Sequence, residues 1–226
     1  MNISSIMSID NRIIYFDNAA TSFPKPPEVI DAVVRYLTQT GANPGRSGHK
    51  LAVEAGRIVF NTRQKLAALF GISNPMRVIF TANATSALNL AIQGIAREGD
   101  HFITTSMEHN STIRPLRELQ KKGLITLTII QANKLGLIDP DKITRAIRKN
   151  TRACVINHAS NLTGIVQPVQ NITEICKQNR IITVIDAAQS AGTIPLNLQT
   201  DKIDLLGLAG HKGLLGPTGT GALLIS

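Results

Sequence analysis

The amino-acid sequence predicts a three-layer α/β domain built around a largely parallel sheet. From residue 26 onward, helical apolar stripes alternate with short β-branched runs, an order that sets a helix between successive strands. Runs such as Ile181-Ile182-Thr183-Val184-Ile185 are also apolar on both faces, as strands covered by helices on each side must be.

Pro26-Pro27-Glu28 opens the first helix, where proline's missing N–H costs nothing, and Val29, Ile30, Val33, Val34 and Leu37 give it an apolar stripe. A second helix over residues 52–70 stops at Gly71, the residue type that closes helices in a left-handed conformation. Strands are expected near residues 77–80, 102–105, 126–131, 153–157, 182–186, 204–208 and 221–226. Helices are expected over 85–96, 113–122, 140–149 and 169–178.

The chain has 226 residues, 43% hydrophobic and 17% charged, which is ample material for one core and excludes a disordered chain. No apolar run approaches the ~20 residues of a membrane span, and the N-terminus lacks the pattern of a secretory signal. Two cysteines, Cys154 and Cys176, exclude a disulfide scaffold and fit a reducing, cytoplasmic setting. The net charge of +9 comes from basic stretches at 114–122 and 142–152. Both lie in helix-like segments without aromatic residues for base stacking, so they read as solvated helix faces and not as a nucleic-acid footprint. No repeat or linker divides the chain. The expectation is an N-terminal tail over residues 1–13 and a single domain over 14–226, with its end on the seventh strand suggesting a further domain that is absent.

Ligands of such sheets sit beyond the carboxyl ends of the strands. The polar residues just past those ends are Thr85, His109, Asn161, Asp186 with Gln189, and His211 with Lys212. The segment after the first strand, Phe80 through Ala87, has no glycine and so excludes a dinucleotide fingerprint. The glycines at 216, 219 and 221 lack the lysine of a P-loop. The five histidines show no paired helical spacing, so no metal is expected. Asn83-Ala84-Thr85-Ser86 leads into a helix whose N–H groups would suit a phosphate, and equally Asn83 or Thr85 would serve as the helix cap.

Lys212 follows a buried strand and sits among glycines, where desolvation favours the neutral, nucleophilic amine. Asp186 ends an otherwise apolar strand, a costly position unless a cation or donor meets it. Pyridoxal 5′-phosphate (PLP) requires a lysine for its aldehyde, an acid for its ring nitrogen, a phosphate cradle and a group against the ring face. Lys212, Asp186, the helix start at Thr85 and His109 meet those four requirements from separate strand ends.

The chain resembles the class V aminotransferase-like PLP enzymes, in the cysteine desulfurase and selenocysteine lyase branch. The resemblance rests on residues 14–21, on Asn43-Pro44-Gly45-Arg46-Ser47-Gly48-His49, and on Ser106-Met107-Glu108-His109-Asn110-Ser111. His158-Ala159-Ser160-Asn161, Asp186-Ala187-Ala188-Gln189, and Gly210-His211-Lys212 with Gly216-Pro217-Thr218-Gly219 follow in the family's order. It implies the fold-type I large domain, a seven-stranded mostly parallel sheet whose seventh strand is antiparallel. It implies that Lys212 carries the PLP aldehyde and moves the Cα proton, that Asp186 keeps the ring nitrogen protonated, and that His109 stacks on the ring and shuttles protons as a second catalytic residue. Gln189 would face the ring hydroxyl, Thr85 and His211 the phosphate, and Asn161 the ring hydroxyl and substrate carboxylate. Arg46 and His49 would lie close to the dimer interface and the active site, and Ala20 on the substrate side. The implied reaction converts L-cysteine to L-alanine and enzyme persulfide in a homodimer that passes sulfur to an acceptor protein. Selenocysteine lysis, transamination and a non-catalytic PLP-binding fragment are the alternatives.

Two departures stand out. Ala209 replaces a serine common before Gly-His-Lys, removing a phosphate donor worth about 1.5–3 kcal/mol if nothing substitutes. The family's small C-terminal domain, with its nucleophilic cysteine and its carboxylate-binding arginine, has no counterpart before Ser226. Cys154 and Cys176 read as buried apolar residues.

Overall fold

The computed structural model describes residues 14–46 and 48–226; the predicted tail, 1–13, and Ser47 lie outside the described residues. Seven strands, β1 (Val78–Thr81), β2 (Asp100–Thr105), β3 (Ile125–Ile130), β4 (Thr151–Asn157), β5 (Ile182–Asp186), β6 (Leu205–Ala209) and β7 (Gly221–Ile225), form one sheet. Their order is β1-β7-β6-β5-β4-β2-β3. β7 runs antiparallel to β1 and β6, and the other pairings are parallel.

Among the described residues six α-helices accompany the sheet: α1 (Pro27–Arg35), α2 (Lys50–Leu69), α3 (Ala84–Ile95), α4 (Asn110–Lys121), α5 (Pro140–Ala146) and α6 (Val169–Gln178). Alternate residues of the central strands feed two separate cores. Ala153, Val155 and Val184 pack with Leu88 and Ile92 of α3 and Leu116 of α4. Cys154, Ile156 and Ile185 pack with Ile143 of α5, Ile172 and Cys176 of α6, and Ala67 of α2. This bears out the three layers and explains why those strands read as apolar on both faces. At the middle of β6, Gly207 admits α3 to the sheet: a Cβ there would stand 2.9 Å from the Leu88 side chain.

The elements differ from expectation mainly at their ends. Helix α4 starts at Asn110 and not near 113, because His109 is its cap: the ring accepts the Ser111 N–H, a role histidine seldom signals in sequence. Helix α5 stops at Ala146, where Ile147 turns extended (ψ 133°). In α1 the predicted stripe forms, but none of its residues is buried, and the π-helical turn that follows, Tyr36–Thr40, leaves Leu37 70% exposed.

One buried group links the far edge of the sheet to solution pH. His101 of β2 is fully buried, with Nδ1 2.8 Å from Thr151 Oγ1 of β4 and Nε2 2.8 Å from Thr128 Oγ1 of β3. Burial first, then the charge of Arg148, lowers its pKa from 6.5 to about 4. Between those values the unfolded chain binds a proton that the fold refuses. The contribution of His101 is therefore complete above pH 6.5 and lost as pH falls toward 4. Urea unfolding of His101→Gln is expected to show a shallower acid limb than the parent between pH 6.5 and 4.5, by roughly 1–3 kcal/mol.

Candidate active site

A cleft opens at the carboxyl edge of the sheet, the position where ligands of such sheets bind. It gathers all seven residues predicted to bind a cofactor: Thr85, His109, Asn161, Asp186, Gln189, His211 and Lys212.

The floor comes from β4, β5 and β6. Asp186, the last residue of β5, is only 2% exposed; its Oδ1 accepts the Ala188 N–H at 2.9 Å. Burial raises its pKa, against that hydrogen bond and the opposing influence of His109 and Lys212. Lys212 follows β6 on a loop pinned by Gly210, whose N–H donates to Thr220 O at 2.9 Å and whose own Cβ, if present, would lie 2.4 Å from Thr220 Oγ1. Desolvation lowers the Lys212 pKa, with Asp186 opposing. The cleft therefore holds an amine pushed toward its neutral form and a carboxyl pushed toward its acid form, each electrostatically aware of the other.

One wall is the start of α3. Asn83, not Thr85, caps it: Asn83 Oδ1 accepts the Ser86 N–H at 2.8 Å. The N–H groups of Ala84 and Thr85 have no acceptor within the helix and border the cleft, so a cap and an anion site coexist. His109 forms another wall. Its Nδ1 lies 2.7 Å from Ser111 Oγ and accepts the Ser111 N–H at 3.1 Å, which commits that nitrogen as an acceptor and leaves Nε2 to carry the proton.

Asn157, Ser111 and Ala159 also border the cleft and were not legible as site residues beforehand. Behind the cleft, Glu108 Oε1 accepts the Asn157 N–H at 3.0 Å and the Thr105 hydroxyl at 2.6 Å. Its neighbour His109 carries the sequence signal, while Glu108 itself shows only as an acid between Met107 and His109. Ala20 is exposed, and the adjoining hollow is bordered instead by Asn18 and Ala19. Gln189 Nε2 donates to Ala19 O at 2.9 Å. Arg46 and His49 are exposed and do not border the cleft; His49 caps α2 by accepting the Ala52 N–H at 3.3 Å.

The aminotransferase class-V family model matches residues 14–226. The chain belongs to that family. A curated cysteine desulfurase IscS of Vibrio atlanticus (strain LGP32) is 38% identical over 218 residues, covering 94% of this chain and 53% of the relative. One from Neisseria meningitidis serogroup C is 38% identical over 217 residues, covering 94% and 52%. Among solved structures, the apo cysteine desulfurase of Thermococcus onnurineus NA1 superposes with a TM-score of 0.89 at 34% identity, covering 95% of this chain and 54% of that one. A structure described as SspA in complex with cysteine gives a TM-score of 0.89 at 32% identity, covering 94% and 61%. This class V aminotransferase chain thus has the fold-type I large-domain architecture and spans about half the length of the curated relatives it matches.

Proposed function

We propose that the chain is the PLP-binding half of a cysteine desulfurase, acting on L-cysteine. The observation that carries the reading is the pairing of Lys212 and Asp186 in one cleft with the open start of α3. A half-buried amine, a buried carboxylate and two unpartnered N–H groups fit an aldehyde, a ring nitrogen and a phosphate respectively. Relatives named cysteine desulfurase, and the solved complex named with cysteine, support the substrate class.

Bound there, PLP would supply an electron sink for bonds at the substrate Cα. Lys212 Nζ would hold the aldehyde and then move the Cα proton. The Asp186 carboxylate would keep a proton on the ring nitrogen. His109, held by Ser111, would lie against the ring face. Ala84 and Thr85 N–H groups, with Thr85 Oγ1 and His211, would hold the phosphate; together they offset the hydroxyl missing at Ala209. Gln189 and Asn161 would face the ring hydroxyl, and Asn161 the substrate carboxylate. The Asn18–Ala20 segment would border the substrate, and the segment of Arg46 and His49 a second subunit.

Cys154 and Cys176 are both 0% exposed, and the hydrogen bond with Cys176, followed by burial, pushes the Cys154 thiol pKa well up. Neither provides the thiolate that sulfur transfer requires. We infer that this thiol, the carboxylate-binding arginine and the contacts of a homodimer come from a small C-terminal domain in a longer protein, a cytoplasmic lyase of sulfur metabolism that passes sulfur to an acceptor protein.

Purified chain mixed with PLP is expected to turn yellow, and borohydride to bleach the colour while fixing the cofactor mass on the peptide containing Lys212. Lys212→Ala should bind PLP at least tenfold more weakly and retain no fixed mass. Fixation elsewhere, or none, overturns the assignment. With the longer protein, alanine accompanied by persulfide supports desulfuration, and a keto acid overturns it.

A further inference from the structure

Thr21, Ser22 and Lys25 meet the main chain of His211, and one atom gathers their polar groups. The His211 carbonyl oxygen accepts from Lys25 Nζ at 2.7 Å, Ser22 Oγ at 3.1 Å and the Ser22 N–H at 3.2 Å, and Thr21 Oγ1 stands 3.1 Å from it. Lys25 Nζ also donates to Ser22 Oγ at 2.7 Å, which turns the Ser22 hydroxyl proton toward the carbonyl. Thr21 Oγ1 has a second neighbour, His211 Nδ1, at 3.0 Å.

A carbonyl oxygen has two lone pairs, and a hydroxyl has one proton. Lys25, the charged and closest donor, and Ser22 already saturate the oxygen. The Thr21 proton is therefore better placed on His211 Nδ1. An imidazole that accepts at Nδ1 must carry its proton on Nε2. Burial, then the charges of Lys212 and Lys25, hold the His211 pKa below its ordinary value, so the ring is neutral and has one N–H to offer.

We propose that Thr21, Ser22 and Lys25 are positioning residues that fix His211 as the Nε2–H tautomer, so that it donates to an anion in the cleft while its carbonyl, one bond from Lys212, is held still. In the opposite tautomer the free nitrogen would present a lone pair to the phosphate and repel it. The inference builds on the PLP reading, in which His211 meets the phosphate, but the tautomer belongs to the cofactor-free chain and is measurable without PLP.

Long-range 15N–1H spectra of the histidine-labelled, cofactor-free chain should show His211 as the Nε2–H form. Thr21→Val and Lys25→Met should each shift it toward Nδ1–H, and Thr21→Ser should retain the parent pattern. In binding, Thr21→Val should weaken PLP about tenfold, or about 1.4 kcal/mol, and leave pyridoxal, which lacks the phosphate, unchanged. Thr21→Ser should restore the PLP-to-pyridoxal ratio. A parent His211 in the Nδ1–H form, or a ratio unmoved by Thr21→Val, overturns the proposal. Should PLP fail to bind any of these proteins while His211 shows the expected form, the cofactor reading falls and the tautomer assignment stands. Loss of histidine dispersion in Thr21→Val would identify unfolding, in which case Lys25→Met decides.

Discussion

Asp186→Asn is expected to raise the unfolding temperature of the cofactor-free chain while lowering Cα chemistry in the loaded, longer protein by about 10²–10³-fold, the loss typical of removing one preorganised electrostatic partner. The stability effect follows from the sign of the pKa shift. Burial raises the Asp186 pKa above its ordinary 3.8, so the fold retains a proton that the unfolded chain has already released. Its contribution is intact below that ordinary value and is lost as pH rises through the folded pKa, so at neutral pH the carboxylate is held at a cost. Asparagine keeps an Oδ1 to accept the Ala188 N–H and carries no charge to desolvate. A gain of about 1–2 kcal/mol corresponds to roughly 2–8 °C for a chain of this size. The chemical loss has the same origin. An asparagine amide donates to an unprotonated ring nitrogen instead of holding a proton on it, and an unprotonated ring is a poor electron sink. Thermal melts with and without PLP, together with turnover of the longer protein, check both halves. A variant no more stable than its parent without PLP would show that Lys212 and His109 already neutralise the buried charge.

The cleft was largely legible because its residues obey a topological rule. Asp186 ends a strand and Thr85, His109, Asn161 and Lys212 each follow one, and a parallel sheet delivers consecutive strand ends to one edge whatever lies between them. The strands were legible for a related reason, since Cys154 and Ile156 face one core while Ala153 and Val155 face the other. What was not legible depends on contacts between distant residues. Nothing near Lys25 announces that its ammonium will meet a carbonyl 186 residues away. Ser111 shows no local sign that it will fix the His109 ring. Arg46 and His49 matched a family segment, yet that segment stands outside the cleft, because its use belongs to contacts beyond this chain in our reading. The stripe of α1 carries the same lesson: periodicity states which face is apolar and not what covers it.

The second large effect is expected at Glu108. Its carboxyl is wholly enclosed, Oε1 accepts from Thr105 and from the Asn157 N–H, and Oε2 has no partner among the described residues. Burial above all, with the charge of Asp186 adding to it, raises the pKa from 4.5 to about 8 against the pull of those two hydrogen bonds. At neutral pH the fold therefore keeps this acid protonated while the unfolded chain has ionised it. Its contribution is full below pH 4.5, declines as pH rises, and is gone above about 8, a swing on the order of 4 kcal/mol. His101 works in the opposite direction, but only below pH 6.5, and the difference between the parent and a variant that cannot ionise at 108 isolates Glu108 from the other titrating groups. Glu108→Gln preserves an oxygen for Thr105 and Asn157 and cannot ionise. In urea unfolding it should match the parent near pH 5 and exceed it at pH 9 by a few kcal/mol. Glu108→Ala, which strips Asn157 and Thr105 of their acceptor and opens a cavity, should lose about 2–4 kcal/mol across the whole range. A parent whose stability does not fall relative to Glu108→Gln between pH 5 and 9 would mean that the enclosed acid is ionised in the fold. Asp186 would then stand beside a second negative charge, and its hold on a pyridinium would rest on two carboxylates instead of one.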